Sequence, residues 1–164
     1  MPPEVHYDLG QVDLETVIED RDGIRALNPQ RFELEQLDAI VLLDTTNHVL
    51  IGYKDVRADE FWVRGHMPGY PLFPGVLLCE AAAQLCSYYI SKTKLLPSGD
   101  FMGFAGLENV RFRSPVHPGV RLVLVAKASK LHRRQCVFNV QAFVGPTMVF
   151  HGDIIGVPMH KAEA

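Results

Sequence analysis

The segment 76–92 contains neither glycine nor proline and is rich in residues that favour helices, so it predicts one long helix. It is apolar on nearly all sides, and a helix of that kind must be buried. Glu80, Gln84, Ser87 and Ser91 interrupt the apolar surface, and their spacing aligns them in one polar stripe. A fully buried helix requires other elements around it, which constrains the fold more than any other feature of the sequence.

Strand-like runs of apolar and β-branched residues lie on both sides of this helix. They are 37–43, 49–56 and 60–63 before the helix, and 101–112, 121–131, 136–144 and 148–157 after it. Because helices do not alternate with these strands, the sequence predicts an α+β fold in which an antiparallel sheet wraps around the helix. Such a sheet leaves one side of the helix uncovered, which favours a homodimer.

The chain has 164 residues, of which 48% are hydrophobic. This length supports one substantial core and is short for two, so we expect a single domain over 1–164. Residues 1–31 mix acidic and apolar positions and end near a break signal, Asn28-Pro29, which indicates a short helix or an N-terminal arm.

Several protein classes are disfavoured by composition. The N-terminus lacks a secretory signal pattern, and no apolar run reaches the roughly 18 residues of a membrane span, so we expect a cytoplasmic protein. A net charge of −3 argues against nucleic-acid binding. The odd number of cysteines, Cys79, Cys86 and Cys136, in apolar surroundings predicts reduced core thiols.

The segment 65–84, GHMPGYPLFPGVLLCEAAAQ, carries the residues most suited to chemistry. Three prolines fix the backbone before the helix, so the loop that contains His66 is rigid. The ordinary pKa of histidine, about 6.5, suits a general base at neutral pH. Gly75 has no Cβ and would let a ligand reach the unpaired N–H groups of the helix start. Glu80 lies among apolar residues, where burial favours a protonated carboxyl, and Gln84 is placed one turn further on to orient it.

Other interpretations of these residues are weaker. Cys79 and Cys86 lack the paired spacing of metal ligands, and core packing explains them better. The proline series also fits a polyproline ligand, but such ligands lie in exposed segments. Five other histidines are interpreted as ordinary loop residues: His48, His117, His132, His151 and His160.

The segment 65–84 closely resembles the signature of FabZ-type (3R)-3-hydroxyacyl-acyl-carrier-protein dehydratases, commonly G-H-F-P-G-x-P-x-x-P-G-V-L-x-x-E-A-x-A-Q. The resemblance continues through the F-A-G, R-F-x-x-P-V and P-G elements after the helix and covers roughly 32–157. It implies the hot-dog fold, in which an antiparallel sheet wraps a long central helix. It also implies at least a dimer, here a homodimer or a trimer of dimers, whose active sites take the histidine from one subunit and the acid from the other.

Carried over by position, the resemblance makes His66 and Glu80 the catalytic pair, Gly75 the residue whose N–H polarises the thioester carbonyl, and Gln84 the support of the acid. The related FabA-type enzymes usually have aspartate at the acid position, so Glu80 favours simple dehydration to a trans-2-enoyl thioester. The implied pathway is fatty-acid or related acyl-chain biosynthesis. No metal or organic cofactor is expected.

The implied substrate is a thioester of acyl carrier protein or coenzyme A, which presents its acyl group on phosphopantetheine. We expect the acyl tail in an apolar tunnel between subunits near Leu72, Phe73 and Leu77. Because acyl carrier proteins are acidic, a docking surface should be basic. The candidates are Arg111, Arg113, Lys130, Arg133 and Arg134.

Two other functions are open at the level of sequence: a hot-dog acyl thioesterase, and a non-catalytic acyl-binding or assembly subunit. Two departures from the FabZ pattern also matter. The family's P-H-R-x-P-F-L-L-V-D element is replaced by Pro29-Gln30-Arg31-Phe32 and the residues after it, and P-G-D becomes Pro118-Gly119-Val120. The first departure lies near the expected substrate entrance.

Overall fold

The predicted helix is confirmed. The computed structural model describes residue 1 and residues 3–161, and its long helix, α2, spans Gly75–Lys92. Leu85 and Ala82 on this helix are completely buried, and Gln84 is 2% exposed, so the helix forms the centre of the core. A shorter helix, α1, spans Arg21–Leu27. Among the helices described, none is long and apolar enough to cross a membrane.

In the described part of the chain, six strands form the sheet that wraps α2, and the predicted α+β class is confirmed. They are β1 (Ala39–Asp44), β2 (Val49–Asp55), β3 (Asp100–Phe112), β4 (Arg121–His132), β5 (Gln135–Val144) and β6 (Thr147–His160). All pairs are antiparallel, in the order β1-β2-β4-β5-β6-β3. The chain therefore enters α2 from β2 at one side of the sheet and leaves it into β3 at the opposite edge.

The strand predicted at 60–63 is wrong, because the chain turns there. The Glu60 carboxylate accepts a hydrogen bond of 2.9 Å from the Arg57 N–H, and the Val63 N–H donates to Glu60 O at 3.1 Å. These local bonds use groups that a strand would offer to a neighbour. The turn delivers Trp62, 4% exposed, to the core just ahead of the proline-rich loop.

The two faces of the sheet have separate cores. The inner face packs on α2, as where Leu50, Leu122 and Phe138 meet the helix. The outer face of β1, β2 and β4 carries a second cluster that includes Ile51 and Val125, which are completely buried. The N-terminal residues Tyr7, Leu9, Val12 and Leu14 cover that second cluster.

Strand β3 lies at an edge of the sheet and pairs only with β6 among the described elements. It is long, and its exposed side chains include the apolar Phe104, Leu107 and Phe112, which are between 40% and 55% exposed. Exposed apolar edge strands are rare in monomers, because their unpaired N–H and C=O groups attract another chain.

Candidate active site

The loop that contains His66 is held by backbone hydrogen bonds at both of its ends. The His66 N–H donates to Trp62 O at 2.8 Å, and the Phe73 N–H donates to Val116 O at 2.7 Å. Within the loop, His66 Nδ1 lies 2.7 Å from Leu72 O. A carbonyl oxygen only accepts, so Nδ1 carries a hydrogen, and the neutral ring has its lone pair on Nε2. The half-buried imidazole is therefore presented as a base through Nε2.

Gly75 starts α2 at the end of this loop. The N–H groups of Leu77 and Leu78 donate to Pro74 O, whereas the Gly75 N–H has no hydrogen-bond partner in the part of the chain described. A Cβ at Gly75 would lie 2.9 Å from the ring of Phe112 on β3, so only glycine fits without displacing that ring. The free N–H at the positive end of the helix dipole is suited to bind an oxyanion.

The Glu80 carboxyl is oriented by Gln84, as the sequence predicts from their spacing. Gln84 Nε2 donates to Glu80 Oε1 at 2.8 Å and also to Leu34 O at 2.6 Å. Gln84 Oε1 accepts a hydrogen bond of 2.9 Å from the Gln36 N–H. The buried amide thus joins the acid on α2 to the segment before β1, which restricts the direction of the carboxyl.

Replacing Gln84 with leucine should lower the free energy of unfolding by about 3 kcal/mol, because the buried Gln36 N–H and the partly buried Leu34 O would both lose their partner. Chemical denaturation measures this change. Ser87→Ala is the matched control on the same stripe of α2, with an expected loss below about 1 kcal/mol. Equal losses in both variants would contradict a supporting role for Gln84.

A cavity of about 220 Å³ lies beside Glu80. Its walls are mainly apolar, and they come from α2, from the strands β3, β5 and β6, and from the segment before β1. The lining residues are Pro29, Gln30, Glu80, Ala83, Cys86, Ser87, Phe101, Met102, Gly103, Phe104, Cys136, Phe138, Ile154, Gly156 and Met159. Leu72, Phe73 and Leu77, the predicted tunnel residues, are not among them.

The cysteines are buried and unpaired, two of them in the cavity wall. Burial raises the pKa of the Cys79 thiol, and it raises the pKa of the Cys86 thiol well above its usual value. Burial also raises the pKa of Cys136. Thiols kept protonated are weak nucleophiles, so acid–base chemistry by the neighbouring carboxyl suits the site better than covalent thiol chemistry.

His66 and Glu80 have separate partners within one chain. Neither is hydrogen-bonded to the other, and His66 does not line the cavity beside Glu80. Of the predicted site residues, the structure brings Glu80 and Gln84 into contact and holds His66 and Gly75 at opposite ends of the same loop.

The predicted docking arginines fall into two groups. Arg111 and Arg113 are exposed on both sides of Phe112, the residue that covers Gly75. Arg133 and Arg134 are exposed in the turn between β4 and β5, together with the exposed Lys130 near the end of β4. Only the first group lies beside the start of α2.

Sequence reasoning missed most of the cavity wall. Gln30, which lines the cavity with Glu80, replaces the histidine of the family's P-H-R element. This departure from the family pattern was the one sequence signal for the cavity wall, because the changed residue lies in the expected substrate entrance and lines the cavity. No sequence pattern connects Phe101, Cys136 and Gly156, because they meet only through strand pairing.

No group of three or more histidine, cysteine, aspartate or glutamate side chains is placed to hold a metal ion, within residues 1 and 3–161. That activity needs no cofactor remains a prediction.

The central helix wrapped by an antiparallel sheet defines a hot-dog fold. Solved structures with the same fold include the dehydratase heterocomplex ApeI:P from Xenorhabdus doucetiae, with a TM-score of 0.70, 13% identity and coverage of 84% of this chain and 91% of that one. The fluoroacetyl-CoA thioesterase FlK matches with a TM-score of 0.60 and 15% identity, over 70% of this chain and 87% of its own. At such identities these likenesses show the fold alone.

Sequence comparison shows to which family of hot-dog proteins the chain belongs. Residues 28–153 match the FabA-like domain family. The 3-hydroxyacyl-[acyl-carrier-protein] dehydratase FabZ of Clostridioides difficile is 32% identical over 140 residues, 85% of this chain and 97% of the relative. The bifunctional enzyme LpxC/FabZ of Chlorobaculum tepidum is 32% identical over 145 residues, 88% of this chain, and the chain spans 31% of that longer protein. The chain belongs to the FabA-like family as a FabZ-type hot-dog dehydratase, which confirms the predicted family.

Proposed function

We propose that this protein removes water from (3R)-3-hydroxyacyl thioesters to form trans-2-enoyl thioesters in fatty-acid or related acyl-chain biosynthesis. The observation that carries the proposal is the Glu80–Gln84 pair beside an apolar cavity, in a chain of the FabZ type that also presents His66 Nε2 as a base. A base and an acid held by separate, rigid elements are what the elimination of water requires.

In the proposed mechanism, His66 Nε2 removes a proton from C2 of the acyl group, which the neighbouring thioester acidifies. The Gly75 N–H binds the carbonyl oxygen as negative charge develops there. Glu80 gives a proton to the C3 hydroxyl, the C3–O bond breaks and water leaves as the C2–C3 double bond forms. Gln84 keeps the Glu80 carboxyl directed at the leaving hydroxyl.

A shared active site in a homodimer is part of the proposal. His66 does not line the cavity beside its own Glu80, and the apolar edge of β3 is left uncovered by the single chain. A second copy pairing along β3 would cover Phe104 and Leu107 and would bring its own His66 loop toward Glu80. Assembly of such dimers into a trimer of dimers remains a prediction, as does a cytoplasmic location.

We further propose phosphopantetheine as the carrier of the acyl group, on acyl carrier protein or coenzyme A, with no metal or organic cofactor. The acyl tail would extend from the start of α2, past Leu72, Phe73 and Leu77, into the cavity that Ala83 and Phe138 line. An apolar cavity of this kind favours a hydrocarbon chain.

The test is a turnover assay with 3-hydroxyacyl substrates of increasing chain length on both carriers. Formation of the enoyl product without release of free thiol is the expected result. Release of free thiol would instead identify a hot-dog thioesterase. Binding of the acyl thioesters without any turnover would identify a non-catalytic acyl-binding subunit.

Arg111 and Arg113 are proposed to dock an acidic carrier protein, because they are exposed beside the start of α2. Replacing both with alanine should raise KM for a carrier-protein substrate roughly tenfold at low salt, and less at high salt, since screening weakens surface attraction. A short pantetheine substrate should be nearly unaffected. Steady-state kinetics at two ionic strengths measures both.

Arg133 and Arg134, in the turn between β4 and β5, supply the matched control pair. The double alanine variant there should leave KM for the carrier protein unchanged. If it raised KM as much as the Arg111 and Arg113 variant, the docking surface would be in the wrong place. Equal losses on carrier protein and pantetheine would point to structural damage.

A further inference from the structure

Lys54 and Glu60 form an ion pair that is almost completely buried. Lys54 Nζ lies 2.9 Å from Glu60 Oε2, and the two side chains are 2% and 7% exposed. Every other ion pair in the described part of the chain has one side chain at least 39% exposed. Removing two charges from water costs about as much as their attraction returns, so stability alone explains this pair poorly.

The Glu60 carboxylate has three hydrogen-bond donors around it. Besides its contact with the Lys54 ammonium, the carboxylate accepts a hydrogen bond of 3.1 Å from Trp62 Nε1–H and a hydrogen bond of 2.9 Å from the Arg57 N–H. Burial alone would raise the pKa of Glu60, but the hydrogen bonds from the Arg57 N–H and Lys54 together hold it below its usual value. The carboxylate therefore stays charged at neutral pH and fixes the turn that contains Trp62.

Trp62 connects this pair to the His66 loop. Its backbone oxygen accepts the His66 N–H at 2.8 Å, and its ring meets the Phe73 ring edge-on, with centroids 5.5 Å apart. The Lys54 ammonium also lies 5.5 Å from the Phe73 ring centroid. Phe73 lies two residues before Gly75. Both the His66 end and the Gly75 end of the loop are therefore connected to the Lys54–Glu60 pair, through Trp62 and Phe73.

We propose that Lys54, Glu60 and Trp62 are positioning residues, which fix the His66 imidazole relative to the Gly75 N–H. This inference rests on the proposed function, because it gives His66 the role of base. None of the three lines the cavity beside Glu80, so they act through the loop and not on the substrate. A charged pair suits this task because its geometry is directional, whereas apolar packing tolerates sliding.

The first measurement is the kinetics of Lys54→Met and Glu60→Gln. We expect kcat to fall between about tenfold and a hundredfold with KM changed less than about threefold, since a small displacement of a base slows the chemical step more than binding. Tyr88→Phe is the control. It removes a partly buried hydrogen bond to Glu19 about 20 Å along α2 from Gly75 and should leave kcat unchanged.

A double variant separates positioning from stability. Breaking the pair in either single variant should lower Tm by roughly 10 °C, whereas Lys54→Met with Glu60→Met removes both charges and should recover most of that loss. We expect kcat to stay low in the double variant, because Trp62 Nε1–H and the Arg57 N–H have lost their acceptor. Recovery of kcat together with Tm would overturn the proposal, and the double variant also serves if a single variant does not fold.

Nitrogen NMR of the His66 imidazole gives a readout that does not depend on turnover. The wild-type ring should show hydrogen on Nδ1, and the Lys54 and Glu60 variants should show a mixture of the two tautomers. An unchanged ring signal with wild-type kcat would overturn the positioning role alone. Full activity in His66→Ala would instead overturn the proposed function, so the two failures are distinguishable.

Discussion

Glu80→Gln and His66→Ala should each lower kcat by at least about a hundredfold while the protein stays folded. Glutamine at 80 has nearly the same shape, and its carbonyl can still accept from Gln84, but it has no proton to give to the leaving hydroxyl. Alanine at 66 removes Nε2 and leaves only Leu72 O without its partner. Dehydration at saturating substrate, with circular dichroism to confirm folding, measures the effect.

The controls for these variants are Glu15→Gln and His132→Ala, which change exposed residues far from the start of α2 in sequence and should keep wild-type kcat. Near-full activity in Glu80→Gln would assign the acid role to another group. Near-full activity in His66→Ala would show that His66 is not the base, and the proposed mechanism would then be wrong.

Mixing the two inactive variants should restore activity. If His66 of one subunit works with Glu80 of the other, a mixed dimer has one intact site and one site that lacks both groups. With random exchange of equal amounts, half of the dimers are mixed, so we expect about a quarter of wild-type activity, at least about twenty-five times that of either parent. Differently tagged subunits allow the mixed dimer to be isolated and assayed.

A mixed dimer that is isolated and inactive would place both residues in the site of one chain. A dimer with subunits tagged differently but otherwise wild type provides the control for damage during exchange. The result tests the shared site separately from the roles of the two residues, since both parents must first be shown inactive.

The helix and most strands were predictable because they rest on local patterns. The run without glycine and proline became α2, and the apolar runs on either side became β1 to β6. The prediction of a strand at 60–63 was wrong because the residues of this segment form a turn and do not pair in the sheet. Trp62 enters the core from a turn, and Glu60 turns inward to meet Lys54.

The candidate site likewise has residues that the sequence predicts and contacts that it does not. His66, Gly75, Glu80 and Gln84 lie within one short segment, so their motif and the helical spacing of Glu80 and Gln84 predict them. The contacts of Gln84 with Leu34 O and the Gln36 N–H join residues about fifty positions apart, which no sequence period encodes.

The sequence did contain a signal that Lys54 is buried. It continues the alternation of Leu50 and Gly52, which face the helix from β2, so a lysine appears where the period requires a core residue. A charged residue in phase with a core pattern indicates a buried partner. The partner could not be identified from sequence, because Glu60 was predicted to lie in a strand of its own.

The position of β3 has a consequence for how the chain folds. β3 is made directly after α2, yet β6, the one strand that it pairs with among the described residues, comes last of the six strands. During synthesis the strand pairing of β3 can therefore begin only once β6, which starts at Thr147, has been made. Non-local pairing is slower than local contact formation, so we expect β3 to stay unpaired, and open to association with other nascent chains, for part of folding.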